Sequence, residues 1–321
     1  MMHVTCTLGP ASSSDKIIAA LLKTADRFRL NSSHLTAPQL GAWLKKLRRA
    51  YWTASRSIPV VVDLQGAKMR IGRIPETRGL PEKIKFVHSA ASSRAGVLPV
   101  PHAGFFEAIR EGDELTLNDA RVRVRMEKNF RATVVTNGPL SSFKGVNRPA
   151  HPLPYPEPSR ADLAAIRASL DFEFTQFAFS FVHDGTEAAI IKPLISGRVL
   201  AAKIERPDSM KHLAAIANVF DELWLCRGDL GAQAGIENLG PLQEEFIRTM
   251  VKLGRPACLA GQVLEHMSIC REPTRSEVVH LYDAARAGFS GIVLSDETAI
   301  GRHPAAAALA AYRLCKPQQL L

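Results

Sequence analysis

Eight short runs rich in β-branched and other apolar residues recur along the chain, at residues 3–9, 27–34, 58–66, 174–183, 199–205, 222–229, 256–262 and 290–297. Most are followed by a longer stretch with apolar positions at helical spacing, as in residues 38–54, 159–169, 238–253 and 275–287. Strand–helix alternation of this kind predicts a parallel sheet, because each strand needs a crossover to return the chain to the same edge. Eight units predict a closed (β/α)8 TIM barrel. A hydrophobic content of 46% over 321 residues can fill a core of that size.

The alternation breaks once. Between residues 72 and 151 no amphipathic helix stands out, and short alternating runs replace it at 114–117, 121–126 and 131–135. The pattern predicts a small antiparallel β domain, a β-barrel lid, inserted after the third strand. The expected division is therefore barrel over 1–71, inserted domain over 72–151, and barrel again over 152–321. Pro149, Pro152, Pro154, Pro156 and Pro158 predict a stiff connector at the return.

Several classes are disfavoured. No apolar run approaches the roughly 20 residues that span a bilayer, and the first residues lack the basic-then-apolar order of a signal peptide. The five cysteines form no C-x-x-C pair, and Cys6, Cys226 and Cys258 lie in strand-like apolar runs. Buried reduced thiols and a cytoplasmic location are expected. The net charge is +10, but the basic residues are dispersed. The densest group, Lys45, Lys46, Arg48 and Arg49, falls in a helical pattern whose solvated face it would form. A site for small polyanions is favoured over nucleic acid.

In a barrel of this kind the chemistry lies at the C-terminal ends of the strands. Those ends carry Arg29, Asn31 and Ser33, then Asp63, Lys203 and Glu205, Asp229, and finally Ser295 and Glu297. Arg29, Asn31 and Ser33 are spaced by two, as are Lys203 and Glu205, so each set shares one face of its strand. Arginine suits bidentate phosphate binding. Carboxylates from different strands can converge on Mg²⁺, and an ammonium beside it can offset charge on a transferring phosphoryl group.

The motifs at these ends read Thr5-Cys6-Thr7-Leu8-Gly9-Pro10, Arg29-Leu30-Asn31-Ser32-Ser33-His34, Asp63-Leu64-Gln65-Gly66, Ser180-Phe181-Val182, Lys203-Ile204-Glu205, Arg227-Gly228-Asp229-Leu230-Gly231, Pro273-Thr274-Arg275-Ser276-Glu277 and Ser295-Asp296-Glu297-Thr298. In this order, together with Lys144-Gly145-Val146-Asn147-Arg148-Pro149, the chain resembles the pyruvate kinase family. The resemblance implies transfer of phosphate from phosphoenolpyruvate to ADP in glycolysis, with Mg²⁺ or Mn²⁺ held by Glu205 and Asp229. It implies that Lys203, Arg29 and Ser295 belong to the catalytic set. Lys203, Gly228, Asp229 and Arg70 would hold phosphoenolpyruvate; Pro10, His34, Arg70 and Lys144 would contact the nucleotide. Asn31, Ser33 and Asp63 match the family's monovalent-cation region.

Some positions depart from the family pattern. Gly261 stands where a threonine helps bind the substrate carboxylate, Asp296 replaces a glycine, and His183 replaces an arginine. Lys68 stands where the K⁺-requiring type has glutamate, and Leu64, Gln65 and Ile71 change with it. These match the subgroup that resembles a potassium-independent enzyme, with the Lys68 ammonium as a built-in cation, so K⁺ is expected not to be required. The family's C-terminal regulatory domain is expected to be absent. Two other functions stay open: a Mg²⁺-dependent relative acting on another enol phosphate or 2-oxo acid, and a catalytically silent relative. No membrane or nucleic-acid partner is expected, and a homodimer is left open.

Overall fold

The computed structural model describes residues 1–118, 120–148, 155 and 157–316. Pro149, Pro152, Pro154 and Pro156, expected to stiffen the connector, lie outside the described residues. In chain order come β1 (His3–Thr7), α1 (Asp15–Leu22), β2 (Arg27–Asn31), α2 (Ala37–Ala54) and β3 (Val60–Leu64). Next are β4 (Lys83–Val87), β5 (Val97–Pro99), α3 (Ala103–Ala108), β6 (Glu114–Leu117), β7 (Val122–Met126), β8 (Arg131–Thr136) and β9 (Val146–Asn147). Then follow α4 (Arg160–Ser169), β10 (Thr175–Phe179), α5 (Glu187–Ile191), β11 (Leu200–Ile204), α6 (Leu213–Val219), β12 (Glu222–Cys226) and α7 (Arg227–Ala234). The chain continues through α8 (Leu239–Leu253), β13 (Ala257–Ala260), α9 (Arg275–Ala287), β14 (Gly291–Leu294), α10 (Asp296–Ala299) and α11 (Pro304–Cys315). It divides into two compact units. One is Met1–Gly66 with Glu157–Arg227 and Gly240–Leu321; the other is Ala67–Pro156 with Gly228–Leu239.

The first unit is the expected closed barrel, with strand order β1-β14-β13-β12-β11-β10-β3-β2 and every pairing parallel. Strands of a closed parallel barrel are covered on both faces, so they read as continuous apolar runs; β3, Val-Val-Val-Asp-Leu, is buried at every position. Several of the helices, α1, α2, α4 and α9, begin where a side chain satisfies a free backbone N–H group. Thr36 and Gln39 form a capping box at α2, and Thr274 and Glu277 form another at α9. Along α2, Leu40, Leu44, Leu47 and Tyr51 are buried while Lys45, Arg48 and Arg49 are exposed, which makes the basic cluster the outer face of an amphipathic helix.

The barrel interior is layered. Its apolar middle is built from Val61, Ala178, Ala201, Trp224, Cys226, Cys258, Ala260 and Val293. Trp224 is fully buried, and the three alanines leave the room its indole needs. Towards the strand starts lies an ionic floor, where Arg27 stacks 5.8 Å from the Trp224 ring centre and bonds Glu222. Towards the strand ends lies a second ionic layer, described below.

The second unit is a six-stranded sheet of order β5-β4-β8-β7-β6-β9. Its β7 alternates Val122, Val124 and Met126 inside with Arg123 and Arg125 outside, and Phe86, Phe105, Leu115 and Leu117 fill the same core. Two details differ from the expectation of a helix-free antiparallel domain. The β4–β5 pair is parallel, and α3 is present. A three-residue strand and a six-residue helix are too short to display a period in sequence.

Gly66 ends the first stretch of barrel at φ +56°, and a Cβ there would meet the Ser180 carbonyl oxygen at 2.3 Å. The residue is strained on both counts for anything but glycine. Gly66→Ala is expected to lower stability by about 2 kcal/mol or more, read as a drop in the urea midpoint at constant slope. An unchanged midpoint would show that this turn is free to relax.

Candidate active site

At the C-terminal ends of the strands, four of the expected residues meet in one buried network. Asp63 on β3 is its centre. Arg29 on β2 donates to Asp63 Oδ2 from Nε at 2.8 Å and from Nη2 at 2.5 Å. The remaining Arg29 nitrogen, Nη1, donates to Thr7 Oγ1 at 3.0 Å. Lys203 on β11 places its ammonium 3.1 Å from Asp63 Oδ2 and 3.1 Å from Glu205 Oε1. It also donates to Ser180 Oγ at 2.8 Å. Glu205 accepts the Phe181 backbone N–H at 2.7 Å, and Phe181 holds the left-handed backbone at φ +60°. Sequence spacing placed Lys203 and Glu205 on one face, and the structure joins them by an ion pair.

Burial and charge compete here, and charge wins. Burial works to keep the Asp63 proton on, but Lys203 and Arg29 hold the carboxyl down at about 2. Burial also works to strip the Lys203 proton, yet Asp63 and Glu205 hold it above the usual lysine range. Lys203 is thus an ammonium with all three N–H donors engaged. Cys226 lies in the same environment, and burial followed by the Glu205 charge keeps its thiol protonated. It is not a nucleophile.

Around this centre, Asn31 caps its own turn by accepting the Ser33 N–H at 3.1 Å. Ser32, to which no role attached in the sequence, donates to the Asp63 carbonyl at 2.7 Å. Ser33 is half-buried, and Pro10 and His34 are exposed in short 3₁₀ turns after β1 and β2. Ser295, just past β14, donates its N–H to Glu297 Oε2 at 2.6 Å, and Glu297 Oε1 accepts from Leu264 N at 2.9 Å. Asp296, the acid in the family's glycine position, is exposed at the start of α10.

In the second unit, Lys68 and Asp229 form a buried ion pair, Nζ to Oδ2 at 2.5 Å. Gly145 lies against the stem of Lys68, where a Cβ would meet Cε at 3.0 Å. Arg70 donates to the Phe143 carbonyl at 2.8 Å, and the Lys144 carbonyl accepts the Ile71 N–H at 3.0 Å, so Arg70 and Lys144 lie on two segments that pair. Asp229 is not at a strand end as expected. β12 stops at Cys226, and Asp229 sits in the first turn of α7, because the glycine-containing run after the strand coils at once. Gly228, beside it, is exposed with open space where a Cβ would be.

Two residues that carry geometry were missed in sequence. Arg227 donates from Nε and Nη2 to the Gly261 carbonyl at 2.9 and 2.7 Å, and from Nη2 to the Gln262 carbonyl at 2.8 Å. Its Nη1 lies 2.7 Å from His280 Nε2. Burial draws this guanidinium down to about 10. Asp162 in α4 accepts the Gln65 and Gly66 N–H groups at 2.9 and 3.2 Å and thereby holds the turn after β3. Only its place after Ser159, as an acid in a first helical turn, distinguished it in sequence.

The expected metal ligands Glu205 and Asp229 are both buried carboxylates. Each is a hard anionic oxygen donor of the kind Mg²⁺ takes. No helix among the described residues is long and apolar enough to cross a membrane.

A family model described as "Pyruvate kinase, barrel domain" matches residues 1–308. A pyruvate kinase of Agrobacterium vitis is 34% identical over 94% of this chain and 66% of its own length. One from Methylorubrum extorquens is 32% identical over 94% of this chain and 65% of its own, and one from Thermococcus litoralis is 28% identical over 94% and 66%. The chain thus spans about two-thirds of the length of the curated relatives it matches.

Burial raises the Asp162 carboxyl to about 6 in spite of the N–H groups it accepts. A carboxyl that holds its proton more tightly folded than unfolded contributes most below its unfolded pKa of about 4, and that contribution is lost as pH rises through 6. Asp162→Asn is expected to flatten the fall in urea midpoint between pH 4 and pH 6.5, a term on the order of 3 kcal/mol. An identical pH profile in the variant would remove Asp162 as its source.

Proposed function

The chain belongs to the pyruvate kinase family, and from that premise we propose that it transfers the phosphoryl group of phosphoenolpyruvate to ADP. The observation that carries this reading is the buried Arg29–Asp63–Lys203–Glu205 network at the strand ends. In the reaction the bond from phosphorus to the enol oxygen breaks, a bond to a terminal oxygen of ADP forms, and the enolate of pyruvate takes a proton at its methylene carbon. Glu205 and Asp229 would hold Mg²⁺, which when bound draws charge from the phosphoryl oxygens.

The chain's own residues then have definite work. Lys203 is a fixed positive charge for the phosphoryl oxygens and the developing enolate oxygen. Because its three donors are engaged by Asp63, Glu205 and Ser180, contact with substrate requires it to give up one of them. Glu205 is the partner it exchanges, since that carboxylate is wanted as a metal ligand. Arg29 is held in orientation by Asp63 and Thr7, and Arg70 supplies a second guanidinium for phosphate. Pro10, His34 and Lys144 are assigned to the nucleotide, Gly228 to the substrate carboxylate, and Ser295 to the catalytic set.

A second reading, a relative acting on another enol phosphate, rests on Gly261, which offers no hydroxyl to a substrate carboxylate. A panel of enol phosphates separates the two: turnover of phosphoenolpyruvate alone excludes the second.

Lys203→Met leaves Glu205 without its ammonium partner, so a lower urea midpoint is expected, while Arg29 still holds Asp63 and the far-ultraviolet spectrum should stay that of the parent. Its pyruvate formation should fall at least ~10²-fold, the scale of losing one preorganised charge. A loss of only a few-fold would remove Lys203 from the catalytic set.

We also propose that K⁺ is not required. Asp63, in the region expected to bind a monovalent cation, already has two cations of the chain on it, Arg29 and Lys203. Lys68, the lysine expected to be the built-in cation, keeps that role in this proposal; its ammonium is paired with Asp229. Replacing K⁺ by Na⁺ or tetramethylammonium at fixed ionic strength is expected to leave the rate nearly unchanged. Stimulation by K⁺ of about tenfold, equivalent to about 1.4 kcal/mol, would overturn this assignment.

A further inference from the structure

At the opposite end of the barrel from Lys203, the strand starts bring together a set of side chains that the proposed chemistry does not use. His3 opens β1, Arg27 opens β2, Glu222 opens β12, and Cys258 is the second residue of β13. Cys258 Sγ lies 2.7 Å from Glu222 Oε1 and 3.2 Å from His3 Nε2, and His3 Nε2 lies 3.4 Å from Glu222 Oε1. Glu222 and Cys258 are buried, while the His3 side chain is 27% exposed and is the most open member of the cluster. Gly291 makes room for the imidazole, since a Cβ there would meet His3 Nε2 at 2.2 Å.

We infer that this floor is a binding site for a soft divalent metal ion of the Zn²⁺ class, held by His3 Nε2, Glu222 Oε1 and Cys258 Sγ. Thiolate, imidazole and carboxylate are the zinc donor set, and three protein ligands leave one position open. Around a tetrahedral Zn²⁺ such atoms stand roughly 3.3–3.6 Å apart, from the usual metal–ligand lengths. Two of the three separations are already close to that range. The third, sulfur to carboxylate, is a hydrogen bond through the thiol proton. Metal binding removes that proton, and with it the reason for the short contact.

The position is already a cation position. Arg27 Nη2 lies 3.0 Å from Glu222 Oε1 and 3.4 Å from Cys258 Sγ, and it also contacts His3 Nε2. Its Nη1 meanwhile bonds the other carboxylate oxygen, Oε2, at 2.6 Å. One nitrogen of Arg27 therefore stands where the three donors converge. The ion would displace Nη2 alone, and Nη1 could keep Glu222 oriented from behind, as groups around metal ligands commonly do. Bound there, the ion would tie β1 to β12 and β13 across the barrel floor.

The test uses the whole chain, freed of metal with a chelator and dialysed against Zn²⁺, with Co²⁺ as the spectroscopic probe. One Zn²⁺ per chain is expected, along with a cobalt–thiolate charge-transfer band. Both should be lost in Cys258→Ser and weakened at least ~10-fold in His3→Gln, where the partly exposed side chain makes loss of folding no explanation. Cys270→Ser should change neither. Arg27→Gln separates a metal site from a purely hydrogen-bonded floor: with its competitor gone, Zn²⁺ should bind at least ~10-fold more tightly and restore the melting temperature that the variant loses. No cobalt–thiolate band in the parent protein, a band that survives Cys258→Ser, or an Arg27→Gln protein that Zn²⁺ does not stabilise would each overturn the assignment.

Discussion

A carboxylate sealed inside the barrel, Asp63, imposes the arrangement of the strand ends. Removing such an ion from water costs several kcal/mol, and at 1% exposure Asp63 receives almost none of that back from solvent. The cost is offset only because β2 and β11 each deliver a cation to the same oxygen, Oδ2. Ser180, just beyond β10, donates to the Leu64 carbonyl at 2.9 Å and lies 3.3 Å from Asp63 Oδ1. Four consecutive neighbours in the sheet are thereby held at one level. Loss of either cation would strand charge in a dry interior, so this layer cannot drift by small steps. Its rigidity is also what a phosphoryl-transfer site needs, because fixed charges do not have to reorganise as the reaction proceeds.

The apolar middle of the barrel separates this layer from the floor. Trp224, with Ala178, Ala201 and Ala260 around it, fills the bore at a height where neither set of ions reaches across. Two polar layers can then coexist in one barrel because each is neutralised locally, Asp63 and Glu205 by Arg29 and Lys203 above, Glu222 by Arg27 below. Glu222 illustrates the balance: burial works to protonate it, but bonds from His3 and Arg27 hold its carboxyl below the usual range. A barrel with ions at both ends and an indole between has two places where charge can be used. Only the upper one lies at the strand ends where loops can shape a substrate pocket.

Much of this was legible in sequence because a closed barrel makes strand residues two apart share a face. The spacing alone places Arg29 with Asn31 and Lys203 with Glu205, and it places Asp63 at the end of β3. The partners were less legible. Nothing in the spacing of Lys68 indicates that it pairs with Asp229, 161 residues away in sequence. Asp229 itself was assigned to a strand, because an apolar run flowing into Arg-Gly-Asp-Leu-Gly gives no sign of where the strand stops and the helix starts. The floor was overlooked for a related reason. His3, Arg27, Glu222 and Cys258 stand at strand starts, where polar residues read as ordinary flanks until the register of β1, β2, β12 and β13 puts them side by side.

Gly261 shows how a residue that reads as a loss can be tied to the backbone around it. The turn after β13 runs through Gly261 at φ +88° and Gln262 at φ +52°, both in the left-handed region. A β-branched threonine at the first of these angles would be strained by about 1–3 kcal/mol, so the absence of the hydroxyl and the course of the turn go together. Arg227 holds that turn from the neighbouring strand end, bonding both carbonyls. Its guanidinium is half-buried among carbonyl oxygens and an imidazole, and it remains charged at neutral pH even though partial burial draws it down to about 10. The wall of the barrel that lacks a hydroxyl therefore has a positive charge behind it.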